Sequence, residues 1–205
     1  MAILHRYRPL PHAIDRLPPA SLRDRFIAQL IDGVLLGALC GVLYWVLSGG
    51  RITSVWVSPM IPVYLLEVSW PYESLPADAW WGGAFTSIHL YGQKYVHLAF
   101  PAPLPWLTYG AYYTLSCQFW GQSPGKMFKG LVVLDGDGHL PGSGRALRRW
   151  VGYPLSLVPL GAGIWMAARD PRHVTWHDRI AGTTVYALLE PARHDDPDDN
   201  ERELK

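Results

Sequence analysis

A run of 22 residues, Phe26 to Leu47 (FIAQLIDGVLLGALCGVLYWVL), carries only one side chain that is charged at neutral pH, Asp32. As a helix it would cover about 33 Å, enough for the hydrocarbon core of a bilayer, so it is expected to be a transmembrane anchor. The 25 residues before it hold charges and prolines where a signal peptide needs an apolar core, so the anchor is expected to stay in the mature protein. Composition agrees: 49% of the residues are hydrophobic and 17% charged, more apolar than an ordinary soluble domain. A formal net charge of +1 provides no basic field for nucleic acid, which is excluded as a partner.

A second span is expected from Pro105 to Trp120, with its proline in the first turn. The third apolar stretch, Trp150 to Ala168, contains Pro154, Pro159 and three glycines, which interrupt or bend a helix. Lys and Arg mark cytoplasmic flanks. Five arginines precede the first span, whereas the segment from Ser48 to Pro103 has only Arg51 and Lys94. Both flanks of the third stretch are again basic. A re-entrant hairpin of two short helices satisfies that distribution, and a plain third span is the alternative. The fold class expected is therefore membrane α-helical, with two transmembrane helices and a broken re-entrant hydrophobic hairpin. A small cytoplasmic strand pair (GLVVLD at 130–135 with TTVYAL at 183–188) and an aromatic-rich extracytoplasmic loop complete it.

Along the chain this gives a cytoplasmic segment at 1–25, a membrane domain at 26–190 with an extracytoplasmic insert at 49–103, and an acidic tail at 191–205 expected to be disordered. The insert and its edge hold eleven aromatic residues from Arg51 to Trp106. Within it, ITSVWVS and IPVYLLEVSW suggest short strands or membrane-surface turns. Trp56, Trp70, Trp80 and Trp81 fit a partner-docking surface or an aromatic belt at the lipid headgroups.

Three segments in order, RFIAQLID, GQSPGKMFKGLVVLDGDG and WHDRIAGTTVY, resemble the signature segments of the bacterial RDD family, over about residues 21–189. The long aromatic insert departs from the compact family pattern. The resemblance puts the name-giving residues at Arg25, Asp32 and Asp178. It implies a multi-pass protein of the bacterial plasma (inner) membrane, N-terminus cytoplasmic, in a family linked to complex assembly and to transport.

Arg25 and Asp32 are seven apart and share a helix face. A carboxylate two turns into the bilayer costs about 2.5–3.5 kcal/mol unless paired, hydrated or protonated, so Asp32 should face protein. Arg148, Arg149 and Arg179 are its candidate partners, and Asp178 is the candidate partner of Arg25. One reading is a structural ion-pair cluster; the other makes Asp32 a proton- or cation-binding site. GQSPGK has one residue too few between its glycines for a phosphate loop, so Lys126 is expected to end a helix near anionic headgroups. His173 and His177 have a zinc-compatible spacing without a second ligand cluster, and Asp135 and Asp137 suit a turn. No metal, cofactor or catalytic constellation is expected. The function expected is a non-enzymatic accessory or assembly subunit of a larger membrane complex, in contact with lipid and other integral membrane subunits. The alternative is a cation/proton antiporter built on Asp32, which would have to be a homo-oligomer.

Overall fold

The computed structural model describes residues 17–56, 63–68, 81, 86–90, 94–99, 102–157 and 162–188. Helix α1 spans Leu22–Leu47 and begins a turn earlier than hydropathy alone predicts, because Ser21 caps it and its hydroxyl accepts from Asp24 N at 3.1 Å. Among the described residues, α1 is the one helix long and apolar enough to cross a membrane. One of its faces is buried along Ala28, Asp32, Leu36, Cys40 and Tyr44. The other leaves Phe26, Val34, Leu35, Val42, Trp45 and Val46 uncovered. A soluble protein would hide that stripe, whereas lipid or a neighbouring membrane helix is its natural surrounding.

The insert after α1 is more ordered than a plain aromatic-rich loop, and the short strands suggested in ITSVWVS and IPVYLLEVSW are present. Strands β1 (Ile52–Trp56), β2 (Tyr64–Val68), β3 (Thr86–Leu90) and β4 (Lys94–Ala99) form an antiparallel sheet in the order β1-β2-β4-β3. The register sets Trp56 opposite Tyr64 and Ile52 opposite Val68, so alternate residues of both strands share a face. Helix α2 (Pro103–Trp120) follows. Ile52, Tyr64 and Leu66 of the shared face are fully buried against Leu36, Cys40 and Tyr44 of α1 and Tyr109 of α2. Each large side chain sealed in this way contributes about 1.5–3 kcal/mol. Two of the tryptophans of the insert also touch this core. Trp56 is half-buried and would meet a Cβ at Gly37 at 3.2 Å, while the half-buried Trp81 ring packs on Tyr44 at 6.0 Å between centroids. Trp70 and Trp80 lie outside the described residues.

Helix α2 matches the second expected span to within two residues. Prolines occupy its first turn, and Gly121, at φ 64°, ends it. Its tyrosines and polar residues make it less apolar than α1. Beyond it come α3 (Pro124–Phe128), β5 (Leu131–Asp135), α4 (Ser143–Leu157), α5 (Ala162–Arg169), α6 (Trp176–Ala181) and β6 (Thr183–Ala187). The expected strand pair is present: β5 and β6 run antiparallel with Val133 opposite Val185. Ala20 N donates to Val185 O and Ala187 N to Pro18 O, both at 2.9 Å, so the chain before α1 borders β6. Pro154 does not stop α4, which starts seven residues before the apolar stretch and continues to Leu157. Helices α4 and α5 cover most of the third apolar stretch; the residues between them and the 191–205 tail fall outside the described residues.

Candidate functional site

The segment before α1 borders β6, and this brings together charges that the sequence spreads over 153 positions. Arg25 Nη1 donates to Asp178 Oδ2 at 2.9 Å, and Arg25 Nη2 reaches Val185 O at 3.2 Å. Arg149 pairs with Asp178 Oδ1 through Nη1, which also donates to Thr183 Oγ1 at 2.8 Å. Asp178 is fully buried, yet it joins α1, α4, α6 and β6 in one network. It sits in the first turn of α6, where Thr175, the residue before that helix, gives Oδ2 its hydroxyl proton at 2.8 Å and its backbone N–H at 3.3 Å. Burial alone would raise this carboxyl. The guanidinium of Arg149, with His177 and Arg25, instead holds it well below the usual carboxylate range.

His177 extends the network. Because Thr175 spends its proton on Asp178, Thr175 Oγ1 accepts from His177 Nε2 at 2.9 Å, while Nδ1 lies 3.1 Å from Ser156 Oγ, whose one proton also points to Gly152 O at 3.0 Å. Burial keeps the imidazole neutral. Burial pushes its pKa down to about 3, and Arg149, Arg25 and Lys126 oppose protonation while Asp178 only partly favours it. An unfolded histidine titrates near 6.5, so the unfolded chain takes up this proton first. The stabilisation is fully present above about pH 6.5 and is lost as pH falls from there toward 3. Thermal melting of the purified protein should fall between pH 7.5 and pH 4.5, by at most about 1.4 kcal/mol per pH unit for this one proton. In His177→Gln the dependence should be visibly shallower, and an unchanged slope would remove His177 as its source.

Asp32 does not meet the arginines expected of it. Oδ1 accepts from Tyr112 Oη and from Gly125 N, each at 2.7 Å, and Oδ2 accepts from Ser123 Oγ. The reason is steric: Gly125 lets the turn before α3 lie directly on α1, so the donors of that turn reach the carboxylate first. Arg149 goes to Asp178, Arg179 pairs with Asp170 at 2.7 Å, and Arg148 is exposed and bonds only its own helix at Gly144 O. Lys126 is buried behind the same turn, with a long contact of 3.4 Å to Ser123 Oγ and its ammonium 5.7 Å from the Tyr113 ring centre. The sequence thus names the charges correctly and misses the neutral groups that hold them: Tyr112, Ser123, Gly125, Ser156 and Thr175. The Ser-Pro-Gly sequence carried a signal, since a helix start with a glycine in it allows close backbone approach.

The remaining candidates have ordinary partners. His173, at φ 51°, bonds Ala167 O through Nδ1 at 3.0 Å, away from the neighbours of His177. Asp135, Asp137 and His139 lie close enough for one ion, but Asp135 Oδ1 already accepts from the backbones of Asp137 and His139, and Oδ2 pairs with Arg145. These bonds close a tight turn. Cys40 and Cys117 are buried free thiols.

Two separate cradles emerge, one around Asp178 and one around Asp32, both anchored on α1. None of the curated proteins and none of the solved structures matches the chain. The family model described as RDD family matches residues 19–182, a range that contains the Asp32 cradle and all three signature charges. The chain belongs to the RDD family, whose domains are membrane-associated.

Proposed function

We propose that this protein is a non-enzymatic integral membrane subunit that packs against other membrane proteins, with its signature charges serving as an internal clamp. The observation that carries the reading is the neutral hydrogen-bonded cradle around Asp32. A carboxylate that exchanges a proton or cation needs open coordination positions, and three of the roughly four acceptor positions of this one are taken by Tyr112, Ser123 and Gly125. In this reading α1 and α2 span the bacterial inner membrane and α4 and α5 dip into it from the cytoplasmic side. The N-terminus and the β5–β6 pair are cytoplasmic, and the four-stranded sheet is outside. The arginines beside α1 and α4 support that orientation. The uncovered apolar face of α1 is then the surface offered to lipid and to partner helices.

The test is affinity purification of the tagged full-length chain from its native membrane in mild detergent, with stoichiometry of all that accompanies it. A fixed set of membrane partners is expected, lost when Val34 and Val42 on the uncovered face are both changed to Trp. Asp32→Asn should lower stability by about 1.5–3 kcal/mol, the range for hydrogen bonds to a charged group, while the folded fraction keeps its partners. Recovery of the chain alone or as a homo-oligomer, with Asp32-dependent cation/proton exchange in reconstituted vesicles, would overturn the proposal.

A further inference from the structure

A cavity of about 120 Å³ opens between α1, α4 and α6. Its polar wall presents Arg25, Lys126 and Arg149, and its apolar wall includes Leu22, Phe26 and Val185. Arg25 and Arg149 share Asp178, and the nearest other carboxylate bonded into this region is Asp32, reached from Lys126 through Ser123. With His177 neutral, three cations face two anions, a surplus of one positive charge. Lys126 is the one of the three that makes no salt bridge among the described residues: it is only 8% exposed, donates to Ser123 Oγ at 3.4 Å and reaches Asp32 only through that hydroxyl. A buried surplus of positive charge is unfavourable, and a bound anion would offset it.

We propose that this cavity binds the phosphate of an anionic membrane lipid, with Lys126 as its principal cation and Phe26 beside the start of the lipid's hydrocarbon. Size favours a headgroup over a whole metabolite, since small-molecule pockets run to about 300–1,000 Å³ and this space falls well short of that. The separate void on the inner side of Lys126, about 10 Å³, admits a water at most, so the ligand must enter from the α1 side. Phe26, 47% exposed, stands there at the head of the uncovered α1 stripe, one residue from Arg25. That places cationic and apolar walls in the order in which a lipid presents phosphate and acyl chain. The inference needs α1 in a bilayer and holds with or without a partner subunit, so it can fail independently of the subunit reading.

The experiment is native mass spectrometry of the full-length protein in neutral detergent, titrated separately with dioleoyl phosphatidylglycerol, dioleoyl phosphatidylcholine and inorganic phosphate. One phosphatidylglycerol per chain should be retained at least about tenfold more tightly than phosphatidylcholine, whose phosphate is the same but whose choline cation is repelled by the three cations of the wall. Lys126→Gln should abolish that difference. Lys129→Gln, which removes a more exposed lysine paired with Asp24 at 2.7 Å, should leave it intact. Equal retention of the two lipids, or a preference unaffected by Lys126→Gln, would overturn the proposal. Displacement of phosphatidylglycerol by millimolar inorganic phosphate, with a Lys126-dependent rise in melting temperature, would identify free phosphate as the ligand and also overturn it. If Lys126→Gln does not fold, the preference of the unmodified chain for phosphatidylglycerol over phosphatidylcholine decides alone.

Discussion

Asp178→Asn is expected to destabilise the protein by about 3–5 kcal/mol, the cost of breaking a buried ion pair from one side only. The asparagine keeps the volume of the carboxylate and removes its charge. Arg25 and Arg149 would then face each other inside the protein with only neutral acceptors, Val185 O and Thr183 Oγ1, to share. The amide NH₂ would also point at donors where an oxygen had accepted. A loss of that size is a large fraction of the stability of a small domain, so the variant should elute as aggregate in detergent size-exclusion or melt far below the parent. Arg148→Gln is the matched control: its side chain is exposed and bonds only its own helix, so a change within about 0.5 kcal/mol is expected. Equal effects of the two substitutions would show that the Asp178 network does not hold the elements together.

Gly125→Ala should be nearly as damaging, although it adds one methyl group. A Cβ at Gly125 would lie 2.1 Å from Ala28 O and 2.9 Å from Asp32 Oδ1, and the first of these is backbone that cannot swing aside. The turn before α3 must lift off α1, which breaks the Gly125 N–H bond to Asp32 and loosens the Ser123 bond beside it. Overpacking and the loss of a hydrogen bond to a charged acceptor together amount to about 3–5 kcal/mol. Gly136→Ala, where no atom lies within 4 Å of the new Cβ and φ is not positive, should change the melting temperature little. A tolerated Gly125→Ala would mean that the close approach of turn and helix is not needed.

The sequence made some parts of this molecule plain and hid others for physical reasons. Hydropathy located α1 and α2 because length and apolarity are local properties. The β5–β6 pair was legible because both segments are β-rich and the basic flanks required one side for both. The four-stranded sheet was harder. Its inward residues, Ile52, Ser54 and Trp56 against Tyr64 and Leu66, alternate with a period of two, yet their aromatic content resembles that of an interfacial loop equally well. The arginine–Asp178 bond was predicted from charge and family position. The Asp32 cradle was not, since what decides its partners is the space left by a single glycine. Charge proposes candidates, and packing chooses among them.

The network around Asp178 also sets an order of events during synthesis. Arg25 enters the membrane boundary with α1, but its partner is encoded 153 residues later. At about 5–20 residues per second of translation, that interval is on the order of ten to thirty seconds. Until Asp178 emerges, a nascent chain holds an arginine with no counter-ion at the head of its first helix, and the segment before that helix has no β6 to pair with. Any chain broken off before α6 stays in that open state. The cluster therefore closes only in a chain that has been made through α6.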